Sequence, residues 1–335
     1  MTGTAAVLAI DGGNSKTALA LVGDDGTVLA SLRGPGASHE AHGIDGAMSR
    51  LGSLVDEVAA KAGISRGSCG RGPVARHTSA CLAGADLPEE ETALTAALTV
   101  QGWSRTAVAT NDTFAVLRAG LRVDRGEPSW GAAVTCGAGI NCVAVGPDGQ
   151  VARYLSWGRI TGDWGGGGDL GPEAVWHAIR AEDGRGPATA LTAAVTKHFG
   201  VASMADVAIA RHKKEISRDD LREVARVLMA VAESGDPVAH GILERQAEEI
   251  CVMATAAMKR IGLPSSGTPV VLGGGVLESR NPLLLAMVTS RFESQAPGSL
   301  PRVVDVPPVA GAALLGLDHL ATGPAAERAL RQAFG

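Results

Sequence analysis

The chain has 335 residues with 45% hydrophobic and 19% charged side chains, enough for about two domains with their own cores, which excludes intrinsic disorder. A formal net charge of −5 and only 3% aromatics exclude the basic, base-stacking surface of a nucleic-acid binder. Apolar runs such as 283–288 are too short to span a bilayer, so no membrane partner is expected.

The first six residues lack the basic and apolar regions of a signal peptide. The five cysteines (Cys69, Cys81, Cys136, Cys142 and Cys251) form no CxxC pair, which fits a cytoplasmic protein with free thiols. Glycine is the compositional outlier: 45 residues, roughly twice the usual share of about 7%.

In chain order, residues 5–10 are a continuous apolar run ending in the turn Asp11-Gly12-Gly13-Asn14, and 18–22 are a second run. Asp24-Asp25-Gly26 turns into 28–32, giving a three-strand meander. Ile44, Met48, Leu51, Val55 and Val58 predict a helix over 43–63. A strand is predicted within 74–85, a helix over 89–100, and a strand over 106–110 running directly into Asn111-Asp112.

The second half opens as the first does. A strand over 131–136, the turn Gly137-Ala138-Gly139, a strand over 141–145, an Asp148-Gly149 turn and a strand over 151–155 repeat the meander about 125 residues later, the mark of an internal duplication. Residues 172–257 read as mostly helical. Asp236-Pro237 starts a helix reaching Gly262, with Asp as cap and Pro at the first position. A strand over 269–272 leads into Gly273-Gly274-Gly275 and a helix, followed by a strand over 302–306 and a long helix over 310–320.

Taken singly, these motifs keep ligand-free alternatives. The Asp11–Thr17 turn fits a plain hairpin, Asp112 an N-cap for a helix beginning near Thr113, the 273–275 glycines a strand-to-helix turn, and the run Gly165 to Gly168 a mobile loop. No GxxxxGK[ST] phosphate loop is present.

Taken in order, AIDGGNSKTALALVGDDG, TNDTFAVLRAG, AVTCGAGINCVAVGPDG, WGRITGDWGGGG, VVLGGGV and VAGAALLGL resemble the motifs of the sugar-kinase and actin superfamily, specifically its BadF/BadG/BcrA/BcrD ATPase-type branch, which includes N-acetylglucosamine kinases. The resemblance implies an α/β fold of two duplicated actin-like (ribonuclease H-like) domains around a central ATP/sugar cleft. The expected division is 1–120 for the N-terminal domain and 121–317 for the C-terminal domain with its helical insertion, with a helix over 318–335 returning to the first.

It further implies an ATP-dependent amino-sugar kinase acting on the 6-hydroxyl of N-acetyl-D-glucosamine. N-acetylmuramic acid, glucosamine and N-acetylmannosamine stay open as substrates, and a homodimer is expected. Asp112 matches the family's general base, and Asp11 the carboxylate near Mg2+, bridged by water. Gly12, Gly13, Asn14, Ser15, Lys16 and Thr17 match the first phosphate motif, Gly137, Ala138 and Gly139 the second, and Gly274 and Gly275 the adenosine motif. Ser38, His39, Gly84, Asn111, Asp112, Trp157, Asp163 and Trp164 match sugar-side positions. The chain departs from the pattern at Ser38, where the family has Asn, and at Trp164, where it usually has Glu. Two other functions share the fold: an activator ATPase of 2-hydroxyacyl-CoA dehydratases, which holds an iron–sulfur cluster through cysteines, and a sugar sensor without turnover.

Overall fold

The computed structural model describes residues 4–66 and 72–335, so Cys69 lies outside the described residues. The elements are β1 (Ala5–Gly12), β2 (Lys16–Val22), β3 (Val28–Pro35), α1 (His39–Lys61), β4 (Ala75–Leu82), α2 (Pro88–Val100), β5 (Ser104–Asn111) and α3 (Asp112–Gly120). There follow β6 (Gly131–Cys136), β7 (Ile140–Val145), β8 (Val151–Arg153), α4 (Gly167–Glu182), α5 (Leu191–Phe199), α6 (Met204–His212), α7 (Arg218–Glu233) and α8 (Pro237–Arg260). The chain closes with β9 (Pro269–Gly273), the short α9 (Gly275–Glu278), α10 (Pro282–Gln295), β10 (Leu300–Val303), α11 (Pro308–His319) and α12 (Pro324–Phe334).

The strands form two five-stranded sheets, ordered β3-β2-β1-β4-β5 and β10-β9-β6-β7-β8. Read from the opposite edge, the second order is β8-β7-β6-β9-β10, the same meander-plus-two plan as the first. The duplication legible in the glycine turns is therefore a duplication of sheet topology.

The chain divides into two compact units. One comprises the chain up to Ala133, Val145–Gln150 and Val304–Gly335; the other comprises Val134–Ala144 and Val151–Val303. In the first, β1 pairs antiparallel with β2 and parallel with β4, and β4 pairs parallel with β5. Because both faces are covered, β1 is apolar at every position from Ala5 to Ile10 rather than alternating. Leu8, Ile10, Leu19 and Leu21 pack with Met48, Leu51 and Val55 of α1 and Leu94 and Leu98 of α2. On the other face, Val7, Ala9, Ala20 and Val22 pack with Ala115 of α3, Ala313, Leu314 and Leu317 of α11 and Leu330 of α12. The approach of α11 to α3 is close: a methyl group on Gly311 would sit 1.9 Å from the Ala115 carbonyl oxygen.

In the second unit, α4 lies against α7, where a methyl group on Gly171 would meet the Leu221 carbonyl oxygen at 1.8 Å. Helix α8 starts as predicted: the Asp236 carboxylate accepts the Ala239 amide at 2.9 Å, with Pro237 at the first helical position.

Among the boundaries that differ from the sequence reading, three have a clear structural cause; in addition β8 ends at Arg153 and β5 spans Ser104–Asn111. Helix α1 begins at His39, not 43, because Ser38 caps it, and Gly43 (φ 68°, ψ 168°) kinks it instead of starting it. The last strand lies at Leu300–Val303, set by its parallel pairing with Pro269–Leu272 of β9. A break after His319 separates α11 from α12, with Gly323 at φ 86° ahead of Pro324. Among the described residues, no helix is long and apolar enough to cross a membrane.

Candidate active site

In the first unit the parallel register brings chemistry to one sheet edge. Asp11 of β1 pairs with Cys81 of β4, which pairs with Thr110 of β5; one residue on, Gly12, Leu82 and Asn111 line up. Asp11 and Thr110 are thus two strands apart, about 10 Å, and Asp112 follows at the carboxyl end of β5. Between them Cys81 is fully buried. Burial, with the charges of Asp11 and Asp112 adding, pushes its thiol up to about 12, so it fills space as a neutral thiol.

The turn after β1 is tight. The Gly13 amide donates to the Lys16 carbonyl at 2.9 Å, leaving Asn14, Ser15 and Lys16 exposed at the tip. Two glycines permit this path: a methyl group on Gly12 would meet Leu82 at 2.6 Å, and one on Gly36 would meet the Asn14 carbonyl oxygen at 2.0 Å. Thr17 is completely buried behind the tip, and its hydroxyl oxygen has no hydrogen-bond partner among the described residues. A tight glycine turn with exposed residues and a lysine at its tip is of a kind that suits anionic oxygens.

Three loops converge around Asp112. Asn111, 3% exposed, caps α3: its Oδ1 accepts the Thr113 amide at 3.0 Å and the Thr113 hydroxyl at 2.6 Å. The alternative in which Asp112 caps a helix starting near Thr113 is therefore replaced, since the cap is one residue earlier and Asp112 is the first helical residue. The Asn111 amide donates to Glu91 of α2 at 3.0 Å, and its Nδ2 donates to Asp86 at 2.8 Å. Gly84, at φ +80°, lies so close to Glu40 that a methyl group there would meet its side chain at 2.7 Å. Glu40 follows Ser38 and His39; Ser38 Oγ accepts the Glu40 amide at 3.2 Å, and His39 Nδ1 is buried without a partner among the described residues.

The electrostatic result falls on Asp112. Burial, then the negative charges of Asp86 and Glu40, push its carboxyl up to about 6, against the smaller opposing pull of the Thr113 and Asp112 amides.

In the second unit, Gly137-Ala138-Gly139 closes as a turn, with the Gly137 amide donating to Gly139 O at 2.9 Å. The N-terminus of α4 is fitted onto it. The Gly167 and Gly168 amides donate to Gly137 O at 2.8 Å and Ala138 O at 2.7 Å, and a methyl group on Gly166 would meet Gly139 O at 2.4 Å. The glycine run is thus a packed, largely buried junction rather than a mobile loop. Gly274, at φ +85°, lies over Cys136 just before the same turn, where a methyl group would come within 2.6 Å of the carbonyl. The second phosphate motif and the adenosine motif are therefore adjacent, and Gly275 opens α9.

Asp163 follows the 3-10 turn Gly158–Thr161. It is 6% exposed, its amide donates to Gly158 O at 3.1 Å, and its carboxylate accepts from the Thr161 hydroxyl. Trp157 stands half-exposed at the start of that turn. Trp164 is buried, the Arg245 guanidinium stacks 4.0 Å from its ring centroid, and its indole N–H has no partner among the described residues.

The sequence profile of the BadF/BadG/BcrA/BcrD ATPase family matches residues 8–316. The chain belongs to this family. N-acetylmuramic acid/N-acetylglucosamine kinase of Clostridium acetobutylicum is 26% identical over 278 residues, 82% of this chain and 86% of its own length. N-acetyl-D-glucosamine kinase of Dictyostelium discoideum is 25% identical over 316 residues, 93% and 97% of the two chains. A candidate N-acetylglucosamine kinase from Chromobacterium violaceum shares the fold, with a TM-score of 0.71 at 22% identity over 93% of this chain and 99% of that one.

In this member of the BadF/BadG/BcrA/BcrD family, the residues that sequence reading passed over are Glu40 and Glu91. Glu91 sits in the run Glu89-Glu90-Glu91, which reads as a solvated helix start. Only the packing of α2 on β5 turns it toward the Asn111 amide. Glu40 was visible as the acid directly after Ser38-His39, but its approach to Gly84 is a tertiary fact. Cys136, Cys142 and Cys251 are buried like Cys81, and burial raises all three thiols, Cys136 to about 12.

Proposed function

We propose that the chain is an ATP-dependent amino-sugar kinase that phosphorylates N-acetyl-D-glucosamine on its 6-hydroxyl, with Asp112 as general base. The observation that carries this is the state of Asp112: at a strand end, released from capping duty by Asn111, with a carboxyl held near 6. Such a group is ionised at neutral pH yet basic enough to accept a hydroxyl proton as the hydroxyl attacks phosphorus. Phosphoryl transfer asks little else of the protein beyond positioning and charge stabilisation. The Gly12–Thr17 and Gly137–Gly139 turns suit the phosphates, and Gly274 and Gly275 the nucleoside. Asp163 suits the sugar hydroxyls, with Trp164 backing its segment, and Asn111, Gly84, Ser38, His39 and Trp157 are assigned to the sugar as well.

Mg2+ is the metal such a reaction uses. Among the described residues no cluster of three or more His, Cys, Asp or Glu could cage a metal ion. A single half-buried carboxylate, Asp11, beside an exposed phosphate-type turn fits an ion held mainly by water and phosphate oxygens. Bound there, the ion would neutralise charge on the transferring group.

The four described cysteines, buried as protonated thiols, favour this reading over a cluster-holding activator, and the tuned Asp112 favours turnover over sensing. A cytoplasmic homodimer completes the proposal. Its test is product analysis. With Mg-ATP and N-acetylglucosamine, NMR of the product should show phosphorus coupled to the C6 protons; phosphate at another position would refute the assigned regiochemistry.

A further inference from the structure

Helix α3 ends at Gly120, and its last carbonyls need donors. Arg331 of α12 supplies them: its guanidinium donates to Ala119 O at 2.7 Å and also to Arg118 O and Leu121 O, while Nε holds Glu327 at 2.9 Å. Arg331 is 5% exposed and committed to these partners. Arg122 is likewise engaged, paired with Asp305. The 3-10 turn Val123–Arg125 then places Asp124 under the same corner. Its side chain is 6% exposed, 3.8 Å from Arg331 Nε, and its Oδ1 has no hydrogen-bond partner among the described residues.

Arg122, Asp124, Arg125, Arg328, Arg331 and Gln332 line a pocket of about 210 Å³. Among the described residues, the Arg125 and Arg328 side chains have no ion-pair or hydrogen-bond partner, in a chain whose net charge is −5. Of the four guanidiniums at this pocket, Arg331 and Arg122 are paired with carboxylates, and the charges of Arg125 and Arg328 are left for an anion to meet. The planar guanidinium fork matches phosphate oxygens in pairs. A buried carboxylate oxygen left without a donor calls for a hydroxyl or amine proton.

We infer that this pocket binds a small phosphomonoester, with Arg125 and Arg328 on the phosphate and Asp124 accepting a proton from the rest of the molecule. The site lies wholly within the first unit and does not depend on the reading of Asp112. The same phosphate chemistry is offered by free phosphate, so the test carries both probes.

Equilibrium dialysis at constant ionic strength with inorganic phosphate and with N-acetylglucosamine 6-phosphate, on the full chain and on its R125Q/R328Q variant, isolates the site. Any other phosphate site contributes equally to both proteins, and both replaced residues are exposed, so the fold is kept. The full chain should bind one more equivalent than the variant, and the ester at least tenfold more tightly than phosphate. Equal affinity for the two probes would overturn the part given to Asp124 and assign the pocket to free phosphate. Identical stoichiometry and affinity in the two proteins would overturn the site.

Discussion

Asn111 and Asp86 are joined by a hydrogen bond of 2.8 Å, Asn111 Nδ2 donating, while the other end of the same amide caps α3 through Thr113. One side chain thereby ties the turn after β4 to the helix that begins with Asp112. It also fixes Asp86 where its charge bears on Asp112. Replacing Asn111 with Ala removes the cap and should lower stability by about 1 kcal/mol or somewhat more. The rate should fall further than stability accounts for, because Asp86 is released. Thermal denaturation beside kcat at a temperature where the variant is folded checks both.

The raised carboxyl of Asp112 makes two predictions. As a base it must be ionised, so kcat/KM should rise with pH through about 6. Asp86→Asn keeps an oxygen to accept from Asn111 but removes the charge that bears most on Asp112, so the inflection should move to lower pH.

For stability the sign is opposite. The folded state holds the Asp112 proton more tightly than the unfolded chain does, so this group favours folding below about 4, and that contribution is lost as pH rises through about 6. Asp112→Asn should therefore be inactive yet more stable than wild type at pH 7.5, by about 1–3 kcal/mol, with the gain vanishing near pH 4. Melting temperatures at both pH values decide it.

Two glycines of the second unit separate folding from binding. Gly274→Ala places a methyl group 2.6 Å from the Cys136 carbonyl at a positive φ and should cost roughly 2 kcal/mol or more. Gly139→Ala meets nothing within 4 Å and should leave the melting temperature nearly unchanged while raising KM for ATP, since the new methyl crowds the exposed side of the phosphate turn.

His77 of β4 stacks on His319 at the end of α11, ring centroids 4.0 Å apart, with its Nδ1 2.9 Å from the Thr106 hydroxyl. Burial and then the charge of His319 hold His77 down to about 4. The unfolded chain binds the proton more readily, so this pair's contribution is present above pH 6.5 and lost as pH falls toward 4. His77→Gln should flatten the acid side of a stability-against-pH curve relative to wild type.

Much of this was written in the sequence. Paired Asp-Gly and Gly-x-Gly turns between apolar runs announced two sheets of one plan, and Asp236-Pro237 announced the start of α8 to the residue. Local chemistry misled where a second local signal competed. Capped by Ser38, α1 starts at His39, four residues before Gly43 kinks it, and Asn111 takes the cap that an Asp in the place of Asp112 also suits. Tertiary packing was not legible at all. Nothing local says that Glu91 faces the Asn111 amide, that the 165–168 glycines seat α4 on the second phosphate turn, or that Trp164 stacks on Arg245.

The most direct test of the central claim is ADP release from Mg-ATP across a panel of hexoses and amino sugars, with Asp112→Asn beside wild type. N-acetylglucosamine should drive turnover in wild type, and the variant should lose about 10²–10⁴-fold in kcat while remaining folded. Sugar-independent ATP hydrolysis, or a variant that keeps the full rate, would contradict the account.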